Sequence, residues 1–200
     1  KENWNNPYYG DGEEQPGCWF DFSIGNVDFF MLDGRYYRDF GAGTMLGPVQ
    51  KKWLLENLKE SNATFKVIAS PVQWTKHADK GGGDSWWGVR EGRKEIFDVI
   101  DKNNIGGVIL LSADRHRTDV FEMERKVGYT LYEFSTSKLT NNHTHPTKKK
   151  ALFSYNKGNY FGLLNFDFTK ADPEVTFECI TMDNKSVYEL TLTRSQLEPN

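Results

Sequence analysis

Two hundred residues, 38% hydrophobic and 26% charged, suffice for one sizeable core or half of a larger one, and exclude a disordered chain. A formal net charge of −3 supplies no basic field for nucleic acid or an anionic membrane. The Lys148-Lys149-Lys150 run, after His143-Thr144-His145-Pro146, reads as a solvated loop. No run is long enough to span a bilayer. The start at Lys1-Glu2-Asn3-Trp4, without an apolar leader, reads as mature, trimmed or excised material.

In chain order, Asn5-Asn6-Pro7-Tyr8-Tyr9-Gly10 is loop chemistry. Phe20, Phe22 and Ile24 alternate with polar residues, Gly25-Asn26 turns the chain, and Val27 to Leu32 runs almost unbroken to Asp33. That pattern predicts a hairpin whose second strand is buried on both faces and ends in charge, Asp33-Gly34-Arg35. In open α/β sheets the carboxyl edge of the strands is where ligands bind.

Gly47-Pro48 opens a helix in which Val49, Trp53, Leu54 and Leu58 recur at helical spacing up to Ser61. Phe65 to Ala69 is a short apolar strand stopped by Ser70-Pro71. A glycine-rich loop, Lys80 to Asp84, leads to Ser85-Trp86-Trp87 and a second helix with Ile96, Phe97, Val99 and Ile100 inward. Val108 to Leu111 is a further buried strand, ending at Ser112-Ala113-Asp114-Arg115-His116. Repeated β-α-β units imply a mainly parallel sheet packed with helices. After His116 the periodicity changes. Leu164, Phe166 and Phe168, then Val175 to Ile180, then Tyr188, Leu190 and Leu192 predict an antiparallel meander. The fold class is therefore α/β, with residues 1–116 and 117–200 as two parts of a single unit. Cys18 and Cys179, far apart in sequence, read as buried free thiols, with a single disulfide as the alternative.

Asp114 and His116, two apart where a strand gives way to loop, can turn a hard oxygen and a borderline nitrogen toward one metal ion. The competing structural reading pairs Asp114 with Arg115 or Arg117 and leaves His116 in a loop. Arg35 can hold a phosphate oxygen, or tie its loop through an Asp. Trp86 is either packing beside an Asp84 or Ser85 helix cap, or a wall for substrate. His143 and His145 have metal-pair spacing, but their Asn-rich loop offers no further ligand, so they read as solvated. No Gly-x-Ser-x-Gly elbow, Walker loop or CxxC pair is present.

Six segments then occur in a telling order: Asn6 to Gly10, Phe29 to Arg38, Met45 to Leu54, Asp84 to Gly88, Glu91 to Arg93 and Leu111 to His116. This series resembles the carboxyl-terminal half of the PhoD-like alkaline phosphatases and phosphodiesterases, of the calcineurin-like metallophosphoesterase superfamily. The resemblance implies part of an αββα sandwich and an exported protein. It also implies a two-metal site, associated with iron and calcium, that hydrolyses phosphomonoesters or phosphodiesters with metal-activated water. The family's Gly-Asp-x-His ligands map onto Asp114 and His116, with Arg35 near the phosphate. Ala113 stands where Gly is usual, and Ala69-Ser70-Pro71 lacks a His that many relatives carry there.

The first Asp ligand, the bridging Asp and the Asn-bearing segment would all precede Lys1. A catalytic metal needs about three protein ligands, so the resemblance implies a missing amino-terminal half as partner and an isolated chain with no turnover. It further implies an open sheet edge and an uncovered apolar face. The alternatives are a non-catalytic domain that presents Tyr8, Tyr9, Trp19, Trp86 and Trp87 to a sugar or protein, or a different phosphate esterase on the same scaffold.

Overall fold

The computed structural model describes residues 8–77, 83–123 and 125–199. Asn6-Pro7 of the first motif and Lys80 to Gly82 of the glycine-rich loop lie outside the described residues. β1 (Phe20–Ile24) and β2 (Val27–Met31) form the expected hairpin, with Ile24 opposite Val27. Gly25, at φ +56°, occupies the first central position of the two-residue turn, where a type II′ geometry needs a residue without a Cβ.

α1 (Gly47–Glu60) then carries the chain back to β3 (Phe65–Ala69), and α2 (Arg90–Lys102), entered through a 3₁₀ turn at Trp86–Val89, leads to β4 (Val108–Ser112). β2, β3 and β4 run parallel. Adjacent residues of β2 point to opposite faces, and both faces are covered. Phe30 meets Trp53 of α1, with ring centroids 6.3 Å apart, while Phe29 meets Phe166 from the far side at 6.4 Å.

β5 (Thr118–Met123), β6 (Leu131–Ser135) and β7 (Phe153–Tyr155) do not leave this sheet. The order is β1-β2-β3-β4-β6-β5-β7, with β6 parallel to β4 and β5 antiparallel to both of its neighbours. The change of pattern at His116 is therefore not a boundary between sheets. The large sheet extends to Tyr155, because β6 slots between β4 and the returning β5.

The remaining strands, β8 (Tyr160–Asp167), β9 (Glu174–Thr181) and β10 (Ser186–Thr193), make the antiparallel meander. It packs on the face opposite the helices through Phe177 on Phe134 (4.5 Å) and Tyr188 on Phe153 (4.2 Å). The protein is thus a mixed α/β fold: helices, a mostly parallel sheet, and a three-stranded meander. The large sheet has no bare apolar face along β2 and β6, contrary to the expectation for a half-sandwich. Exposed apolar side chains such as Phe161 and Leu163 lie on the meander instead. Among the described residues no helix is long and apolar enough to cross a membrane.

Candidate active site

The carboxyl ends of β2 and β4 lie on one edge of the parallel sheet, and that register brings the first and last sequence motifs together. Arg35, just past β2, forms an ion pair with Asp84, and its Nη2 lies 3.6 Å from Asp114 Oδ1 beyond β4. Arg38 reaches the same Asp84 carboxylate. Asp84 is thus a charge clamp held by two guanidiniums, not a helix cap. Ser85, which precedes the 3₁₀ turn, makes no side-chain cap bond either.

Asp33 sits on the same edge but is fully engaged. Its Oδ1 accepts from the N–H groups of Arg35 (2.9 Å) and Tyr36 (3.0 Å), and its Oδ2 from Cys18 N–H (2.9 Å). Buried Gln50 of α1 donates to the Asp33 carbonyl and accepts from its N–H, which locks the strand end onto the helix. Cys18, expected in the core, is exposed; both cysteines are free, and Cys179 is buried.

The loop after β4 carries backbone strain. Asp114 has φ +76° and His116 φ +49°, the left-handed region that costs an L side chain on the order of 1–2 kcal/mol. Ala113 is not among the positive-φ residues, which explains why Ala replaces Gly there without penalty. His116 Nδ1 is buried and has no hydrogen-bond partner among the described residues. Its backbone is fixed by Ser137 Oγ, which accepts from the N–H, and by Thr144 Oγ1, which donates to the carbonyl.

Thr144 draws in its neighbours. The His116 ring centroid lies 5.4 Å from that of His143 and 6.0 Å from that of His145, and the latter two are 4.8 Å apart. His143 and His145 therefore border this corner, His143 exposed as a solvated loop predicts and His145 half-buried. Burial, followed by the charges of Arg115, His143, Arg117 and His116, holds His145 below the ordinary histidine pKa. Even so, no group of three His, Cys, Asp or Glu side chains among the described residues is placed to hold a metal ion.

Of the two alternative partners for Asp114, Arg117 is otherwise occupied. Arg117 is fully buried on Asp119 at 2.7 Å, within a cluster that includes Gln73, Ser135 and Ser154. Trp86 is not a substrate wall. It is 1% exposed, stacked on Trp74 at 4.2 Å, and donates from Nε1 to Ser70 Oγ. The same bond gives Ser70 a structural use. Of the aromatic loop residues, Trp19 is also buried.

Sequence reasoning missed Glu133. It lies inside β6 with no visible signal beyond a lone acid in an apolar strand. Its carboxylate accepts from the N–H groups of Trp74 (2.8 Å) and Thr75 (2.9 Å) and from Ser112 Oγ, and so ties the loop after β3 to the sheet. Burial raises its pKa to about 7 against the pull of those three donors and Arg93.

A mixed α/β fold with a charged, strained loop cluster at the carboxyl edge of its parallel strands has its candidate site where open α/β sheets bind ligands. Residues 5–197 match the model of the PhoD-like phosphatases, and the chain belongs to that family. It is 30% identical to alkaline phosphatase D of Bacillus subtilis (strain 168), over 48% of this chain and 20% of that protein. A solved structure of PhoD superposes with a TM-score of 0.65 at 20% identity, covering 90% of this chain and 41% of that one. GAP50, described as the anchor in the inner membrane complex of Plasmodium, shares the fold more loosely. Its TM-score is 0.51 at 11% identity, over 92% of this chain and 59% of that one. The chain thus spans less than half the length of the PhoD relatives it matches.

Proposed function

We propose that these residues form the carboxyl-terminal part of a metal-dependent phosphoesterase active site, acting on phosphomonoesters or phosphodiesters in an exported protein. The observation that carries the reading is the His116 Nδ1 atom, buried without a partner among the described residues at a backbone held in the left-handed region, two residues after Asp114 in the chain. Strain and an unsatisfied nitrogen are costly, and sites that retain them are disproportionately functional. An electrophilic partner outside the described residues fits that nitrogen and the neighbouring carboxylate.

Asp114 and His116 would hold part of a two-metal centre, iron and calcium by resemblance, which when bound polarises phosphoryl oxygens and lowers the pKa of water. The further ligands would come from polypeptide outside these 200 residues. Arg35 serves the substrate. Its guanidinium, shared between Asp84 and Asp114 in the absence of an ester, can exchange one carboxylate for a phosphate oxygen with the same fork geometry. Asp84 and Arg38 keep the guanidinium at the sheet edge during that exchange.

A protein joining this chain to the upstream half of a PhoD-like domain should hydrolyse p-nitrophenyl phosphate only with metal supplied. The 200 residues alone should be inactive and retain no metal in elemental analysis. The Asp114→Ala, His116→Ala double variant should lose at least about a hundredfold in kcat/KM, roughly 3 kcal/mol of transition-state stabilisation. Full activity in that variant removes the assigned roles. A second reading, a binding domain that keeps the scaffold without chemistry, is favoured by the lack of a three-donor cluster among the described residues. Metal-dependent turnover by the joined protein would exclude it.

A further inference from the structure

A cavity of about 640 Å³ opens between the segment after β3, the first turns of α2 and the end of β5. It shares no residue with the Arg35–Asp84–Asp114 cluster. Among the described residues four Lys or Arg side chains line it, Lys76, Arg93, Arg125 and Lys150, against one acid, Glu122. A neighbouring recess of about 320 Å³ shares His77 and Lys150 and adds Lys148 and Lys149. On a chain whose net charge is −3, the described lining carries a local excess of positive charge.

The cations are not equally committed. Arg125 is satisfied by Asp101 at 2.7 Å and by the Tyr129 carbonyl. Arg93 has no carboxylate within ion-pair distance among the described residues. Its guanidinium is held between the rings of Trp87 (5.6 Å) and Phe97 (4.8 Å), with only a long contact to Met123 Sδ at 3.5 Å. Its Nε is buried without a hydrogen-bond partner among the described residues. The stacking rings fix the guanidinium plane and partly offset the loss of water, but they accept no N–H. A half-buried guanidinium with no carboxylate beside it is a costly charge that an anion in the cavity would offset through its exposed edge. The acid whose field reaches Arg93, Glu133, titrates at about 7 through burial and is only a fractional counter-charge at neutral pH.

We infer that this cavity binds a compact polyanion bearing several phosphate groups. Arg93 would be the fixed, directional contact and Lys76 and Lys150 the adjustable point charges around it. Phosphate chemistry fits better than carboxylate chemistry. A short phosphate chain concentrates several charges and many acceptor oxygens within a cavity of this size, whereas an acidic peptide spreads its charges along a backbone that has no place there.

The test is calorimetric titration of the chain with sodium tripolyphosphate at low ionic strength, where surface electrostatics are least screened. The expected result is saturable one-to-one binding, weakened about tenfold or more by Arg93→Gln and measurably by Lys150→Gln. Lys150 is exposed, so its replacement leaves the core intact even if Arg93→Gln perturbs folding. Asp114→Asn should leave the affinity unchanged. Absence of saturable binding overturns the inference, as does binding indifferent to Lys150→Gln. Tighter binding in Asp114→Asn, which frees Arg35 from one carboxylate, would place the anion at the strand-end cluster and overturn the inference. Equal affinity for a hexaglutamate peptide would overturn the phosphate assignment. The outcome is independent of whether a longer protein hydrolyses phosphate esters.

Discussion

Two charged strand ends share one edge of the sheet, yet they are built in opposite ways. At the end of β2, Asp33 is buried and every carboxylate oxygen is spent on backbone N–H groups, with Gln50 clamping the peptide from behind. At the end of β4, Asp114 and His116 stand at positive φ, and a buried imidazole nitrogen has no partner among the described residues. The first arrangement minimises free energy locally; the second holds strain and an unmet group in place. An acid at the carboxyl edge of a parallel strand is therefore not by itself a site residue. What separates a loop tie from a candidate ligand is whether its polar atoms are already satisfied. Glu133 belongs with Asp33, since it too is consumed by backbone donors.

The contrast can be broken by substitution. Asp33→Ala should have the largest effect. Three N–H groups on exposed residues lose a charged acceptor, so unfolding in urea should show a loss of about 4 kcal/mol, with no remaining activity in a joined protein attributable to the site. A loss under 1 kcal/mol would mean that water replaces the carboxylate and that the two strand ends are not different in kind.

Glu133 gives the next effect through pH. Its folded pKa is raised from 4.5 to about 7, so between those values the unfolded state has released a proton that the folded state keeps. The contribution to stability is fully present below about 4.5 and is lost as pH rises toward 7. The span is on the order of 3 kcal/mol. A Glu133→Gln variant should flatten that slope in melts taken across the window, whatever its absolute stability. An unchanged slope would assign the pH dependence to other groups.

The smallest effect sharpens the strained side of the comparison. Asp114→Gly relieves a left-handed residue and should stabilise the chain by about 1 kcal/mol, less the greater entropy of an unfolded glycine. Measurable destabilisation would show that the Arg35 contact outweighs the strain, which would move Asp114 toward the structural class of Asp33.

Much of this was legible from residue order. The hairpin, both helices, the strands at Phe65 and Val108 and the final meander follow from periodicity and turn chemistry, because burial of a regular element writes its period into the sequence. The clustering of Arg35 with Asp114 follows from two apolar strands that each end in charge. Less visible was everything that depends on which element lies beside which. The sequence carries no mark that β6 inserts between β4 and β5, that His143 and His145 fold back against His116, or that Trp86 stacks inside the core while Arg93 faces a cavity. A tryptophan, a histidine or a lone Glu looks the same whether its polar atom finds water, a backbone donor or nothing.

The amino-acid sequence by itself determined the element order, the family and the two ends of parallel strands at which chemistry could sit. Only the tertiary structure decided which polar groups at those ends are satisfied and which are left waiting. Hydrogen-bond satisfaction is a property of contacts between segments distant in the chain, and no local pattern encodes it.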